Sequence, residues 1–256
     1  MSTPMTLHAQ PGSPSSPVGF LVEHARIDPT DSGRVNHRRF KIASADSFVV
    51  RESTNLLLKQ RYGWRGYQTV SLPSNQTANR ITLTAIEGDE TIGTITVGLD
   101  GLEGMNCEDA FGAEIAALRA AGHRVCEFTK LAIDPVAGTK RVLAGLFHVA
   151  YIVAHRLRGY DTLVMEVNPR HVRYYERILG ARVLGAERMN QAVKAPAVLL
   201  TIDFGYIAGQ IRRLGGRPEL SPADRSLYSL AFSAREEDGI ITRLMSAQRP
   251  ASMALN

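Results

Sequence analysis

The stretch Cys126-Glu127-Phe128-Thr129-Lys130-Leu131-Ala132-Ile133-Asp134-Pro135 limits what this chain can become more than any other. Its first half alternates with the period of a strand, so Val125, Glu127, Thr129, Leu131 and Ile133 are expected on one face. A carboxylate and a hydroxyl then stand in an otherwise apolar row, where an unpaired polar group costs roughly a few kcal/mol. Asp134-Pro135 stops the strand, Gly138 loosens the backbone, and Thr139-Lys140-Arg141 opens a long apolar helix. Cations in the first turn of a helix oppose its dipole. A bound phosphate removes that conflict, because helix N–H groups and two cations then converge on it. A strand bearing a buried acid that runs into a helix start suited to phosphate is a candidate site.

The flanking sequence supplies a regular series of elements. Residues 1–35 carry Pro4, Pro11, Pro14 and Pro17 among serines, a composition too poor in apolar surface to offset its ordering entropy, and are expected to form a mobile tail. Phe40 to Ala43 reads as a first strand. The Ser44 to Asp46 region is expected to cap a helix holding Phe48, Val49, Leu56, Leu57 and Tyr62. A hairpin follows, with Ile81, Leu83 and Ala85 returning as Ile92, Ile95 and Val97 across Glu87-Gly88-Asp89-Glu90. A helix from Asn106 carries Phe111, Ile115 and Leu118 and ends at Gly122. After the opening strand, Val142, Leu146, Val149, Val153 and Leu157 form one helical stripe closed by Gly159. On the same helix His148 and His155 share a face, an arrangement more often packing or surface than a ligand pair. Thr162 to Val167 is a buried strand interrupted by Glu166. A short helix with Val172, Tyr175 and Ile178 precedes two strands, Ala181 to Leu184 and Ala197 to Phe204, with Asn190 to Lys194 connecting them. Helices are expected beyond Phe204, two of them opened by the capping patterns Ser221-Pro222-Ala223-Asp224 and Ser233-Ala234-Arg235-Glu236. The domain reading is a tail (1–35), one α/β domain (36–204) and a C-terminal helical extension (205–256).

Composition excludes several classes. The hydrophobic fraction of 44% suits a globular chain with a full core. Two cysteines without paired spacing and seven unclustered histidines argue against a disulfide framework and a metal site. No segment approaches the ~20 apolar residues of a membrane span, and no secretory signal is evident, so a cytoplasmic protein with at most peripheral membrane contact is expected. The net charge of +5 fits an acidic partner. Nucleic acid is disfavoured, because the basic residues are spread along the chain and the one local concentration, His37-Arg38-Arg39, is short.

Two motifs carry a family resemblance. The order of elements, with a phosphate-loop helix after the fourth strand, resembles the GNAT acyltransferase fold, a mixed central sheet flanked by helices. Asn168-Pro169-Arg170-His171-Val172-Arg173-Tyr174-Tyr175-Glu176-Arg177-Ile178-Leu179-Gly180 resembles that family's late asparagine, tyrosine-glutamate and glycine signature, with a residue inserted before the glycine. Glu127-Phe128-Thr129-Lys130-Leu131 resembles the Glu-x-Ser-Arg strand of acyl-homoserine-lactone synthases. Residues 126–134 and 168–180 together look like the long-chain N-acyl amino acid synthases of the N-acyltyrosine synthase group. The loop from Val136 to Ala144 holds a single-glycine start at Gly138, where coenzyme A-dependent relatives tend to show Q/R-x-x-G-x-G/A. Fewer close backbone approaches favour the single phosphate of an acyl carrier protein over a coenzyme A pyrophosphate.

The resemblance implies that an amino acid amine attacks an acyl thioester, with no tightly bound cofactor and an acyl-phosphopantetheine donor, on acyl carrier protein or coenzyme A. Glu127 is then the candidate base, directly or through water; its other reading is a structural acid paired with a lysine or arginine across the sheet. Thr129 either orients that water or the substrate carboxylate, or is a β-branched filler. The amides of Lys130, Leu131, Ala132 and Ile133 are implied to pair with pantetheine and to supply the oxyanion donor. Tyr175 matches the family tyrosine that protonates the departing thiolate, and equally fits a core aromatic. Asn168 holds a pantetheine amide or caps its helix. Gly138, Thr139, Lys140 and Arg141 carry the phosphate expectation, the other reading of Lys140 and Arg141 being a solvated basic turn. Arg61 and Trp64 resemble a substrate-pocket signature of the lactone synthases. The alternatives are a lactone-type synthase whose amine is S-adenosylmethionine and a coenzyme A-dependent N-acetyltransferase.

Overall fold

Gly88 and Asp89 form a two-residue turn, with Gly88 at φ +58°, a conformation that glycine adopts without a Cβ penalty. The turn joins strands β2 (Arg80–Glu87) and β3 (Glu90–Leu99), the hairpin from which the sheet grows in both directions. The computed structural model describes residues 39–63, 70–72, 77–191 and 193–247; Trp64 and the tail read at 1–35 lie outside them. β1 (Lys41–Ser44) pairs with β2, and β4 (Val125–Ile133) pairs antiparallel with β3. β5 (Thr162–Val167) lies parallel to β4, and β7 (Ala195–Asp203) and β6 (Arg182–Asn190) complete the seven-stranded order β1-β2-β3-β4-β5-β7-β6. Only the β4–β5 pair is parallel, and α3 (Lys140–Tyr151) is part of the crossover that joins those two strands. This is the mixed α/β architecture expected from the sequence.

Helices cover both faces. α1 (Phe48–Gly63) and α2 (Glu108–Ala120) pack on one, against clusters that include Leu58 with Ala132, and Phe111 and Ile115 with Val125 and Val164. α3 (Lys140–Tyr151), α4 (Val172–Leu179), α5 (Phe204–Leu214) and α6 (Ala234–Ala247) share the larger core on the other, where Leu146, Phe204 and Phe232 are fully buried. Among the described residues no helix is long and apolar enough to cross a membrane, and no group of three His, Cys, Asp or Glu side chains could hold a metal ion. Cys107 and Cys126 are both buried and unpaired with one another.

Several local expectations differ from the structure. The helix α1 is capped by Ser47, whose hydroxyl accepts from Val50, and it buries Thr54, Leu57 and Leu58 while Phe48 stays 78% exposed. The stripe helix keeps its burial but relaxes into a π-helical turn over Ile152–Leu157 before Gly159. Ser221 opens no α-helix; Asp224 instead accepts from Ser226 within a turn. The second capping pattern forms as expected, with Ser233 and Glu236 bonding each other's backbone N–H at the start of α6.

Residues beyond β7 are fastened to the core by His148. Its Nδ1 accepts the Phe232 backbone N–H at 3.0 Å, so the hydrogen lies on Nε2, which donates to Glu237 at 3.1 Å. The ring also stacks on Phe232. His148→Ala removes the acceptor and the donor from two buried partners at once. It is expected to cost about 3 kcal/mol, read as a lowered midpoint in denaturant unfolding.

Candidate active site

β4 and β5 part company midway. Their ladder contains only Val125 with Thr162, Cys126 with Leu163 and Glu127 with Val164, although β4 runs on to Ile133 and β5 to Val167. On the β3 side the register shifts between Thr94 and Thr96, and Lys130 takes a left-handed backbone at φ 50°. This bulge adds a residue to β4 and reverses the alternation beyond it. Val125 packs toward α2, whereas Leu131 and Ile133 pack toward α3, so the single face expected for residues 125–133 is divided. Between the diverging strands lies a cleft of about 590 Å³, within the size range of small-molecule sites.

Glu127 is not on the cleft wall. It is 1% exposed, and its carboxylate is fully engaged beneath the sheet. Oε1 accepts from Arg80 Nη1 at 3.1 Å and from both the backbone and side-chain amides of Asn106 at 2.9 and 2.8 Å. Oε2 accepts the Cys107 N–H at 3.1 Å. Opposite it Gly98 has no side chain, and a Cβ there would stand 2.8 Å from Glu127 Cγ. The group therefore joins β2, β4 and the start of α2. Arg80→Ala leaves a buried carboxylate without its cation and is expected to lower stability by about 3 kcal/mol in denaturant titration.

The other residues singled out in the sequence divide into two sets. Arg61, Thr129 to Ile133, Asn168 and Tyr175 all line the cleft. The Thr129 hydroxyl is buried there with no hydrogen-bond partner among the described residues. Burial, with Arg80 nearby, pushes the Lys130 ammonium below its ordinary pKa. Tyr62 donates to the Leu131 carbonyl at 2.9 Å and so fixes the end of α1 at the rim. Asn168 accepts the Arg170 N–H at 3.3 Å as a cap, and Tyr174 stands edge-on to Tyr175. Gly138, Thr139, Lys140 and Arg141 lie past the end of β4 and do not line the cleft. That loop closes on Asp134, whose carboxylate accepts from Val136 and Ala137 and whose carbonyl accepts from Gly138. A Cβ on Gly138 would collide with Ile133 and the Asp134 carbonyl. Thr139 caps α3 by accepting from Val142.

Sequence reasoning passed over a further carboxylate in the cleft. Glu166 lines it from β5, half-buried, with Asn190 Nδ2 donating to Oε1 at 2.6 Å. Burial pushes its carboxyl above the ordinary range, and the charges of Glu127 and Asp109 add to the effect. The available signal was an acid interrupting Leu163-Val164-Met165-Glu166-Val167. A central strand buried on both faces gives such an acid no obvious solvent side.

A seven-stranded mixed sheet with helices on both faces, parted between β4 and β5 by a cleft, is a GNAT-like acyltransferase fold. The family model for "N-acyl amino acid synthase FeeM" matches residues 53–203. The chain belongs to that family and is an N-acyltransferase. Among solved structures it is similar to FeeM, an N-acyl amino acid synthase from uncultured soil microbes, at 22% identity and a TM-score of 0.58, covering 66% of this chain and 92% of that one. The acyl-homoserine-lactone synthase LasI aligns at 15% identity and a TM-score of 0.48, over 66% of this chain and 90% of its own. A search of curated proteins returns no match.

Proposed function

We propose that the enzyme transfers a long-chain acyl group from acyl carrier protein to the amine of an amino acid, forming an N-acyl amino acid. The observation that carries this reading is the two-sided character of the cleft. Ile95, Phe128, Leu143, Phe147 and Met165 give it an apolar floor, while Thr129, Lys130, Glu166 and Asn168 stand on its walls. An apolar floor of this breadth suits a fatty chain better than an acetyl group.

In this proposal the thioester lies along β4, whose edge toward β5 has no ladder partner beyond Glu127. Amides from Lys130 to Ile133 pair with the pantetheine arm and face the oxyanion as it forms. Thr129, with its unpartnered hydroxyl, and Lys130 meet the amino acid's carboxylate. Tyr175 supplies the proton that the departing thiolate needs. Gly138, Thr139, Lys140 and Arg141 take the pantetheine phosphate at the start of α3. Asp134 already holds three N–H groups of the preceding loop. That leaves little backbone for a pyrophosphate, which favours a carrier-protein donor over coenzyme A. Such a donor places the reaction in the cytoplasm, and the acidic partner suits a chain of net charge +5.

Expression in a host rich in long-chain acyl carrier protein is expected to give N-acyl amino acids by mass spectrometry of the lipid extract. With purified components, kcat/KM for the acyl carrier protein donor is expected to exceed that for the matching acyl-coenzyme A by about tenfold or more. An extract containing acyl-homoserine lactone and no N-acyl amino acid would replace this reading with the lactone synthase. Acetyl transfer from coenzyme A alone would replace it with an acetyltransferase.

A further inference from the structure

We propose that Glu166, held by Asn190, receives the ammonium group of the amino acid and takes its proton before the amine attacks the thioester. This rests on the amide-synthase reading given above.

Two acids stand near the parting of β4 and β5, and their surroundings are opposite. Glu127 is enclosed, accepts four hydrogen bonds and has an arginine as its counter-ion. Its lone pairs are committed and it does not reach the cleft. Glu166, two residues past the last β4–β5 pair, faces the cleft and has one donor, Asn190. No described residue forms an ion pair with it, and none bonds its Oε2. A half-buried carboxylate without a cation favours either a proton or a cationic ligand. The amino acid's ammonium is both.

Asn190 is built to hold that carboxylate. It is 7% exposed, and its Oδ1 accepts the Val193 N–H at 3.1 Å. With the oxygen end fixed, the amide's N–H end must face Glu166. Oε1 is thereby oriented, while Oε2 has no partner among the described residues. The charges facing Glu166 are Glu127 on β4 and Asp109 on α2, which push its carboxyl up, with Lys130, Arg170 and His171 on the cleft's other walls. A raised carboxyl is a stronger base toward an ammonium than an ordinary one.

The step balances as follows. Glu166 takes one proton from the –NH3+ group, leaving an amine whose lone pair attacks the thioester carbon. The C–N bond forms, the nitrogen loses a second proton, and the C–S bond breaks. Tyr175 gives its proton to the thiolate, the nitrogen's second proton restores the phenol, free thiol leaves, and the proton on Glu166 passes to solvent.

Glu166→Gln keeps the oxygen that Asn190 bonds, so its thermal midpoint is expected to match wild type within a few degrees. Its kcat/KM for the amino acid is expected to fall about 100-fold or more, with the KM for the acyl donor unchanged. The acid limb of the wild-type pH profile should disappear. Asn190→Ala removes a bond that favours the charged carboxylate, so its acid limb should move to higher pH, which a purely structural defect would not cause. Glu166→Gln activity within about threefold of wild type at every pH overturns the proposal. If wild type acylates no amino acid with any thioester donor, the amide-synthase reading fails by itself. Calorimetry of amino acid binding then separates the two. Binding by wild type and not by Glu166→Gln sustains the ammonium site, while equal binding, or none by either, removes it.

Discussion

The parting of β4 from β5 is the constraint on which the site depends. A bulge at Lys130 inserts a residue into β4, and the sharper twist that follows carries the strand away from its parallel neighbour. Backbone groups that would have met in a ladder face a cleft instead. The bulge also turns the side chains over, so the apolar residues after it reach α3 while Lys130 lines the opening. One irregularity thus supplies the space, an unpaired strand edge and a cation.

The same parting sorts the acids. Before it, β4 is paired on both sides and Glu127 is sealed among donors, where a carboxylate persists only because Arg80 and three N–H groups compensate it. Beyond it, Glu166 lines the cleft and accepts from a single amide, that of Asn190. Two residues of one type, on adjacent strands, acquire different chemistry from the number of donors within reach.

The cleft floor is supported from behind by the segment after β7. Phe128 packs tilted against Phe147 at 6.1 Å and Phe204 at 6.3 Å, so α5 backs a residue that also lines the cleft. The His148 bonds to Phe232 and Glu237 hold the following residues on that face. Tyr228 adds a bond from its hydroxyl to the Leu179 carbonyl at the end of α4. Packing behind the floor and shape in front of it are therefore coupled through shared aromatic rings.

By itself the sequence determined the order of elements, the hairpin turn, the buried stripe of α3 and the family motifs around Glu127 and Tyr175. Periodicity, turn residues and caps act over a few residues, so they are written locally. It also placed a carboxylate among apolar neighbours at two positions, 127 and 166. Only the tertiary structure decided which of the two faces the cleft. That choice hangs on the bulge at Lys130, on Arg80 from two strands away, and on Asn190 from the sheet edge. The Asp134 loop behaves alike: a helix start that reads as open to phosphate has two of its preceding amides engaged by Asp134, the residue after the strand. Hydrogen-bond partners distant in sequence leave no periodic trace, and they set the chemistry here.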